Sequence, residues 1–194
     1  MRPVPGDLLL IRHAQADHGD RLCGRTDVPA ILPPAQELAG LSGWLSDCEM
    51  VASPAARCVA TAHALRANGD IATDARLWEQ DFGDFDGVPF EGLPALGEMS
   101  REAIAAHPWP GGESFADMAA RVSPALKRFI EAAARPPLAI VAHAGTVRAG
   151  LGLALGAPAH GLAFDIPPLS VTRLRCTAGG IAILGVALPP SAFA

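Results

Sequence analysis

Two short runs of apolar residues lead directly into histidines, and they constrain the fold more than any other feature of this sequence. Leu8 to Ile11 is followed by Arg12 and His13, and Leu138 to Ala142 is followed by His143. Runs that are apolar throughout, without polar alternation, are typical of strands buried on both faces of a parallel sheet. Such strands need helices on both sides, so the runs predict a three-layer α/β sandwich with a mainly parallel central sheet.

The rest of the chain alternates between strand and helix patterns. Glu49 to Ala52 is a third predicted strand, and Ser53 followed by Pro54 predicts the N-cap and the first position of a helix. Ser114 opens a segment similar to a capping box, which predicts a helix continuing to about Ala134. The other predicted elements are helices over 34–45, 93–106 and 146–155, a strand over 71–77, and a hairpin of 171–176 with 181–187 around 178–180. This alternation and the length predict one domain over 1–194.

The charge pattern argues against broad binding to polyanions. The formal net charge is -5 and the sequence contains no run of Lys or Arg. Because nucleic acids and anionic membranes need a basic face, the sequence predicts no nucleic-acid partner and no membrane partner. No stretch approaches the roughly 20 apolar residues of a membrane span. An anionic ligand must therefore be met by a few locally placed cations.

The cysteines and the first residues indicate a compartment. The four cysteines are scattered without a C-x-x-C pair: Cys23, Cys48, Cys58 and Cys176. This spacing is typical of reduced thiols and predicts a cytoplasmic protein. The apolar run before Arg12 is only four residues long, which is too short for a signal peptide. The sequence leaves the oligomeric state open, a homodimer included.

The two histidines are expected to meet at one edge of the sheet. In open α/β sheets the ligand lies beyond the carboxyl ends of the strands, where His13 and His143 are both placed. A third strand ends at Ser53, one helical turn before Arg57. Together with Arg12, these residues would supply two imidazoles and two guanidiniums. The set predicts a site for a phosphoryl group, because Arg forks match phosphate oxygens bidentately.

A neutral imidazole in such a site can attack phosphorus and split a difficult hydrolysis into two easier steps. The leaving alkoxide then needs a proton from a nearby carboxylic acid. Glu79, near the start of a long excursion over 78–112 that is rich in Gly, Pro and acidic residues, is the predicted acid, with Asp81 as the alternative. The amides of Ala144 and Gly145 begin a predicted helix after the second histidine, and we expect them to donate to a phosphate oxygen.

These residues also resemble those of the histidine phosphatase superfamily, which includes the cofactor-dependent phosphoglycerate mutases. The matched segments follow the family order along nearly the whole chain: 10–13 (Leu-Ile-Arg-His), 24–29 (Gly-Arg-Thr-Asp-Val-Pro), 53–54 with Arg57 and 61–62, Glu79 with 82–83, 111–114 (Gly-Gly-Glu-Ser) and 143–148 (His-Ala-Gly-Thr-Val-Arg). By this resemblance His13 is the phosphorylated residue, Arg12, Arg57 and His143 complete the phosphate pocket, and Glu79 donates the proton. The resemblance implies no metal and no cofactor.

Two departures from the family pattern lie beside the predicted nucleophile. The family usually has Gly-Glu at this point, followed a few residues later by an Asn that contacts phosphate. This chain has Ala-Gln instead, and His18 stands near the Asn position. We therefore expect His18 to substitute for the Asn. Arg25 either contacts substrate or, with Asp27, braces its loop through an ion pair.

Structural roles are the expectation for several other residues. Glu113 and Ser114 are expected at the cap of a helix. Arg148 is expected to face solvent or to bind a neighbouring loop carbonyl. Trp109 either packs within the excursion or covers a ring of the substrate.

The predicted substrate is a small-molecule phosphate ester. The excursion over 78–112 is short for the extra structure with which mutases retain a bisphosphate, so hydrolysis is favoured over phosphotransfer. Segments 24–29, 82–87 and 143–148 resemble the branch that contains the α-ribazole-5′-phosphate phosphatases of cobalamin biosynthesis. The alternatives are a broad-specificity phosphatase, a mutase-type phosphotransferase and a non-catalytic domain that binds phospho-ligands.

Overall fold

The computed structural model describes residues 1–66, 69–177 and 179–193. The strands in these ranges are β1 (Asp7–Arg12), β2 (Gln15–Ala16), β3 (Ala30–Ile31), β4 (Glu49–Ala52), β5 (Ala72–Thr73), β6 (Leu138–Ala142), β7 (Val171–Thr177) and β8 (Gly180–Leu188). The α-helices are α1 (Ala35–Trp44), α2 (Ala56–Leu65), α3 (Arg101–Ala106), α4 (Phe115–Ala132), α5 (Ala144–Leu155) and α6 (Pro158–Gly161). The predicted turn at Ala178 lies outside the described residues.

The central sheet has six strands in the order β5-β4-β6-β1-β7-β8. Strand β1 pairs in parallel with β6, and β4 pairs in parallel with both β6 and β5. Strand β7 runs antiparallel to β1, and β8 antiparallel to β7. Strands β2 and β3 form a separate two-stranded sheet. The prediction of a mainly parallel sheet, with β1 and β6 as neighbours, is confirmed.

Helices cover both faces of this sheet. The packing of β1 explains why residues 8–11 are all apolar. Leu8 and Leu10 pack in a core cluster with α4 and α5, whereas Leu9 and Ile11 pack in a second cluster with α1 and α2. Successive side chains of a strand point to opposite faces, so a strand between two helical layers has no position left for a polar residue. The predicted three-layer sandwich is confirmed.

The predicted start of α2 at Ser53 and Pro54 is wrong. The helix begins at Ala56 with Ala55 as its N-cap residue. The Asp27 carboxylate accepts the Ala56 amide at 2.8 Å, so a residue from a distant loop satisfies the first turn. The Ser53 hydroxyl instead lies 2.9 Å from an imidazole nitrogen of His143.

Two other predicted elements are shorter than expected. Only Ala72–Thr73 of the strand over 71–77 is extended, because the Asp74 carboxylate accepts the Arg76 amide at 2.9 Å and starts a 3₁₀ turn. Of the helix over 93–106 only Arg101–Ala106 is helical, and the Ser100 hydroxyl caps it. The capping box at Ser114 is confirmed, and α5 begins two residues before the predicted position.

A buried ionic cluster closes the amino end of β1, opposite the end that carries His13. Asp7 is fully buried and accepts hydrogen bonds from Arg173 and Arg175 of β7. These hydrogen bonds lower the pKa of Asp7, against the opposing effect of burial, which is the largest single influence. The Arg173 guanidinium also lies 5.6 Å from the centre of the Trp44 ring. No helix within the described ranges is long and apolar enough to cross a membrane.

Candidate active site

His13 follows β1 directly and is only 5% exposed. Its Nδ1 donates a hydrogen bond to the Ala14 carbonyl oxygen at 2.6 Å. A carbonyl oxygen can only accept, so Nδ1 carries the hydrogen and Nε2 keeps a free lone pair. Burial lowers the pKa of His13 to about 3, and the charges of Arg57 and Arg12 add to this, while the hydrogen bond to Ala14 opposes it. The imidazole is therefore neutral at pH 7.

His143 follows β6 and is the N-cap residue of α5. Its ring centroid lies 5.2 Å from that of His13, because β1 and β6 are parallel neighbours that end at the same level. Arg57 Nη2 lies 3.3 Å from Nδ1, which must accept, so Nε2 carries the hydrogen and donates to Ser53 Oγ at 2.9 Å. Burial and the nearby Arg57 charge lower the pKa of His143 well below its ordinary value.

Arg57 projects from the first turn of α2 and is 1% exposed. Its Nη2 donates to the Gly24 carbonyl at 2.8 Å, and its Nη1 donates to the Thr26 carbonyl at 3.2 Å. The loop that offers these carbonyls is held in turn by the Asp86 carboxylate, which accepts the amides of Arg25 and Thr26. Arg57 is therefore fixed by the backbone around it, next to both imidazoles.

Arg12, the last residue of β1, completes the predicted phosphate site. Its Nη1 donates to the Ile166 carbonyl at 2.6 Å, while its Nε is buried without a hydrogen-bond partner among the described residues. Burial lowers the pKa of Arg12, and the Glu79 carboxylate is the strongest charge acting in the opposite direction. Two cations and two neutral imidazoles thus share one largely buried cluster. Such a cluster is electrostatically suited to a phosphoryl dianion.

Glu79 lies beside the start of α5. Its Oε1 accepts the Gln80 amide at 2.9 Å, and its Oε2 accepts the Gly145 amide at 3.3 Å. A Cβ atom at Gly145 would lie only 2.2 Å from Oε1, so the carboxylate can occupy this place only because residue 145 has no side chain. The Gly145 amide, which we expected to donate to phosphate, is engaged with Glu79. Ala144 is the first residue of α5 and is half-buried.

Arg121 of α4 positions the backbone that carries Glu79. Its Nη1 donates to the carbonyls of Arg76 and Trp78, and its Nη2 lies 3.3 Å from the Glu79 carbonyl. Its Nε donates to Glu113 Oε2 at 3.2 Å, and Glu113 also accepts the amide of the residue two positions after Glu79. One guanidinium thus contacts three backbone carbonyls within residues 76–79, next to the carboxylate. Glu113 has this bracing role rather than a capping one.

The structure places two of the predicted ligands outside this cluster. His18 lies near Gln15, with 3.3 Å between Nε2 atoms, and its ring packs edge to face against Phe90. The Arg25 guanidinium lies 5.7 Å from the centre of the Trp78 ring, and loose ion pairs of about 4 Å connect it to Asp81 and Glu113. The substrate roles of His18 and Arg25 stay predictions. The predicted ion pair between Arg25 and Asp27 is wrong, because Asp27 lies 3.9 Å from Arg57 and Arg25 is near other carboxylates.

Sequence reasoning did not place three further residues, Ser53, Cys58 and Thr61, in contact with the predicted site residues. Thr61 Oγ1 accepts the Ala14 amide at 3.0 Å and donates to the Arg57 carbonyl at 2.7 Å. The spacing of Arg57 and Thr61, four residues apart on one helix, is the signal that could have revealed it. The Ser53 hydroxyl accepts the hydrogen bond from His143 Nε2, and the buried Cys58 thiol packs 3.5 Å from the same ring. Burial raises the pKa of that thiol, so no thiolate competes with a phosphate.

The donor set of the site suits an anion better than a cation. Among the described residues, no group of three or more His, Cys, Asp or Glu side chains is arranged to hold a metal ion.

The sequence profile that describes the histidine phosphatase superfamily (branch 1) matches residues 8–188. The chain belongs to this superfamily, which confirms the resemblance. A bifunctional protein of Mycobacterium tuberculosis is 31% identical in an alignment of 187 positions that covers 89% of this chain and 51% of that protein. The chain therefore spans about half the length of the curated relatives it matches.

Solved structures with the same fold include phosphatases. A mycobacterial glucosyl-3-phosphoglycerate phosphatase has a TM-score of 0.79 at 25% identity, covering 94% of this chain and 99% of its own. A phosphoserine phosphatase from Entamoeba histolytica has a TM-score of 0.76, covering 93% and 96% of the two chains. At 17% identity the second likeness concerns the fold alone.

Proposed function

We propose that the chain is a metal-independent phosphomonoesterase that acts through a phosphohistidine formed on His13. The observation that carries this proposal is the hydrogen bond from His13 Nδ1 to the Ala14 carbonyl. It leaves Nε2 unprotonated beside Arg12, Arg57 and His143. The pKa of about 3 keeps the ring neutral at physiological pH, which is the form that attacks phosphorus.

In the first step, His13 Nε2 forms a bond to phosphorus while the ester P–O bond breaks. The guanidiniums of Arg12 and Arg57 balance the charge on the equatorial oxygens. Protonated Glu79 transfers its proton to the leaving oxygen, so the alcohol departs neutral. A domain that only bound phospho-ligands would have no need of a carboxyl group at this point, so Glu79 supports turnover over mere binding.

In the second step, water attacks the phosphorus of phosphohistidine, the P–N bond breaks and inorganic phosphate leaves. The Glu79 carboxylate, ionised after the first step, accepts a proton from the attacking water. The acid and the nucleophile are thereby both restored.

We further propose α-ribazole 5′-phosphate as the substrate. The proposal is based on the sequence resemblance of segments 24–29, 82–87 and 143–148 to the branch that contains the α-ribazole-5′-phosphate phosphatases.

Turnover of two substrates without added metal tests the mechanism. We expect hydrolysis of p-nitrophenyl phosphate and of ethyl phosphate in the presence of EDTA, with His13→Ala inactive on both. Glu79→Gln should lower kcat/KM for ethyl phosphate by at least about 10²-fold, but kcat/KM for p-nitrophenyl phosphate much less, because kcat/KM reports formation of the phosphohistidine and p-nitrophenolate leaves without a proton. The matched controls are His63→Ala and Glu91→Gln, which change exposed residues outside the site.

Trapping of the intermediate and a substrate panel complete the test. Quenching in alkaline denaturant during turnover should leave a phosphoryl group on the chain that is stable to base and lost in acid, and this group should be absent in His13→Ala. Activity that survives His13→Ala, or that EDTA abolishes, contradicts the mechanism. A panel of α-ribazole 5′-phosphate, 3-phosphoglycerate and sugar phosphates compares kcat/KM, and equal values across the panel reject the α-ribazole assignment.

A further inference from the structure

A cavity of about 200 Å³ adjoins Glu79 on the side of the excursion. The cavity is lined by Glu79, by the first residues of α5 and by side chains of the 82–109 segment, with Phe115 and Leu162. Arg148 also lines the cavity, and its charge acts on Arg12, whose pKa it lowers while Glu79 raises it. The cavity therefore begins beside the predicted proton donor and close to the phosphate-binding residues. A leaving alcohol protonated by Glu79 would extend into it.

Most of the remaining lining of the cavity is aromatic or aliphatic. Phe82 and Trp109 line the cavity and pack edge to face, with ring centroids 5.4 Å apart at 86°. Two more rings support Trp109, with the centroids of Phe85 at 5.5 Å and His107 at 5.9 Å. Phe82 and Trp109 are only partly buried. They present flat apolar surface that another ring can cover, and aromatic pairs gain stability beyond the area they bury.

Polar recognition in the cavity is sparse. The Gln80 amide nitrogen is engaged by the Glu113 carbonyl at 2.9 Å, and Arg148 Nε donates to the Phe164 carbonyl at 3.0 Å. Within the described ranges no carboxylate lies at ion-pair distance from Arg148, so its terminal nitrogens supply one free donor group. A polyol would leave most of its hydroxyls without partners here, and burying unpaired polar groups is unfavourable.

We propose that this cavity binds the alcohol part of the ester and selects one that carries a flat apolar ring, packed against Phe82 and Trp109. The inference rests on the proposed phosphomonoesterase function and specifies its substrate class. The cavity is smaller than the roughly 300–1,000 Å³ that hold drug-sized ligands, which suits a group of one or two rings. Arg148 donates to a single acceptor on that group.

The test compares 2-phenylethyl phosphate with ethyl phosphate, whose alkoxides differ little in leaving ability. We expect kcat/KM to be at least about tenfold higher for the phenylethyl ester. Phosphoserine and 3-phosphoglycerate, which carry a carboxylate instead of a ring, should be poorer than the phenylethyl ester. Binding of 2-phenylethylphosphonate and ethylphosphonate, measured by calorimetry, gives the same comparison without turnover.

Two substitutions test whether the preference for the phenylethyl ester depends on Trp109 and Phe82. Trp109→Ala should reduce the ratio of the two kcat/KM values to within about threefold of unity, and Phe82→Leu should give an intermediate ratio. Trp44→Ala is the matched control, because Trp44 is also half-buried but packs against Phe193 elsewhere. Circular dichroism confirms folding of each variant.

The outcomes separate the two proposals. Equal turnover of both esters by the unaltered chain overturns the ring preference and leaves the phosphomonoesterase function in place. A preference that survives Trp109→Ala, or faster turnover of phosphoserine than of the phenylethyl ester, also overturns it. Absence of all turnover, with the phenylethylphosphonate still bound at least tenfold more tightly, overturns the enzymatic function but supports the ring site.

Discussion

Lowering the pH from 7 to 5 should destabilise the folded chain through the buried histidines. His13 and His143 are neutral in the folded state because burial and neighbouring arginines lower their pKa values. In the unfolded chain both imidazoles are exposed and take up protons as the pH falls through about 6.5. The unfolded state therefore binds more protons than the folded state at pH 5, and stability decreases as the pH falls.

The magnitude for His13 follows from its pKa of about 3. At pH 5 the folded form is still neutral, while the unfolded form lies 1.5 pH units below its ordinary pKa of 6.5. At about 1.4 kcal/mol per unit, His13 alone should lower the free energy of unfolding by about 2 kcal/mol. His143 acts in the same direction. Asp7 contributes little at pH 5, because its pKa of 3.8 or lower leaves it ionised in both states.

Urea unfolding at pH 7 and pH 5 in phosphate-free buffer measures this effect. The unaltered chain should lose at least about 2 kcal/mol between the two pH values, and His13→Asn should lose about 2 kcal/mol less. His63→Asn, at an exposed position of α2, should retain the full loss. If the loss is the same in His13→Asn as in the unaltered chain, His13 does not titrate as the structure implies and the nucleophile assignment loses its electrostatic basis.

Two further predictions concern opposite ends of the sheet. Gly145→Ala should reduce kcat/KM for ethyl phosphate by about 10²-fold, because a Cβ atom 2.2 Å from Glu79 Oε1 displaces the carboxylate. Gly43→Ala, with open space around it, should leave kcat/KM unchanged. Full activity of Gly145→Ala would show that the position of Glu79 is not critical. Asp7→Asn should lower the free energy of unfolding by about 3–5 kcal/mol in urea titrations, because two arginines of β7 lose their buried partner. Asp47→Asn on the surface should change the free energy of unfolding by less than about 0.5 kcal/mol. Equal effects of the two variants would contradict the role of the buried cluster.

The sandwich could be predicted because its central strands can be recognised from their own residues alone. A strand covered on both faces excludes polar residues, so β1 and β6 are visible as apolar runs. The start of α2 could not be read in this way. Ser53 has the local features of an N-cap, but its hydroxyl contacts His143, 90 positions away. The Asp27 carboxylate accepts the amide of the first helical residue instead. Local capping rules carry no information about such distant partners.

The same distinction applies to the site. His13 and His143 were expected to meet because parallel neighbouring strands bring their ends together, and the structure places them together. Arg121 was not foreseen, since it acts on the carbonyls of a segment more than 40 residues earlier. The contact between the aromatic rings that line the cavity could not be predicted from the sequence either. Trp109 and Phe82 meet only through the path of the excursion, which has little regular structure to predict.

The burial of Arg57 has a consequence for how the site meets its ligand. Its guanidinium is already stripped of water and oriented by the carbonyls of Gly24 and Thr26 before any phosphate is bound. The cost of desolvating this cation thus falls on folding of the chain and not on recognition. If Arg57 binds phosphate as proposed, the cation is already oriented for the anion before binding. A lysine could not replace it, because a single ammonium lacks the planar fork that bridges two carbonyls and still faces His143.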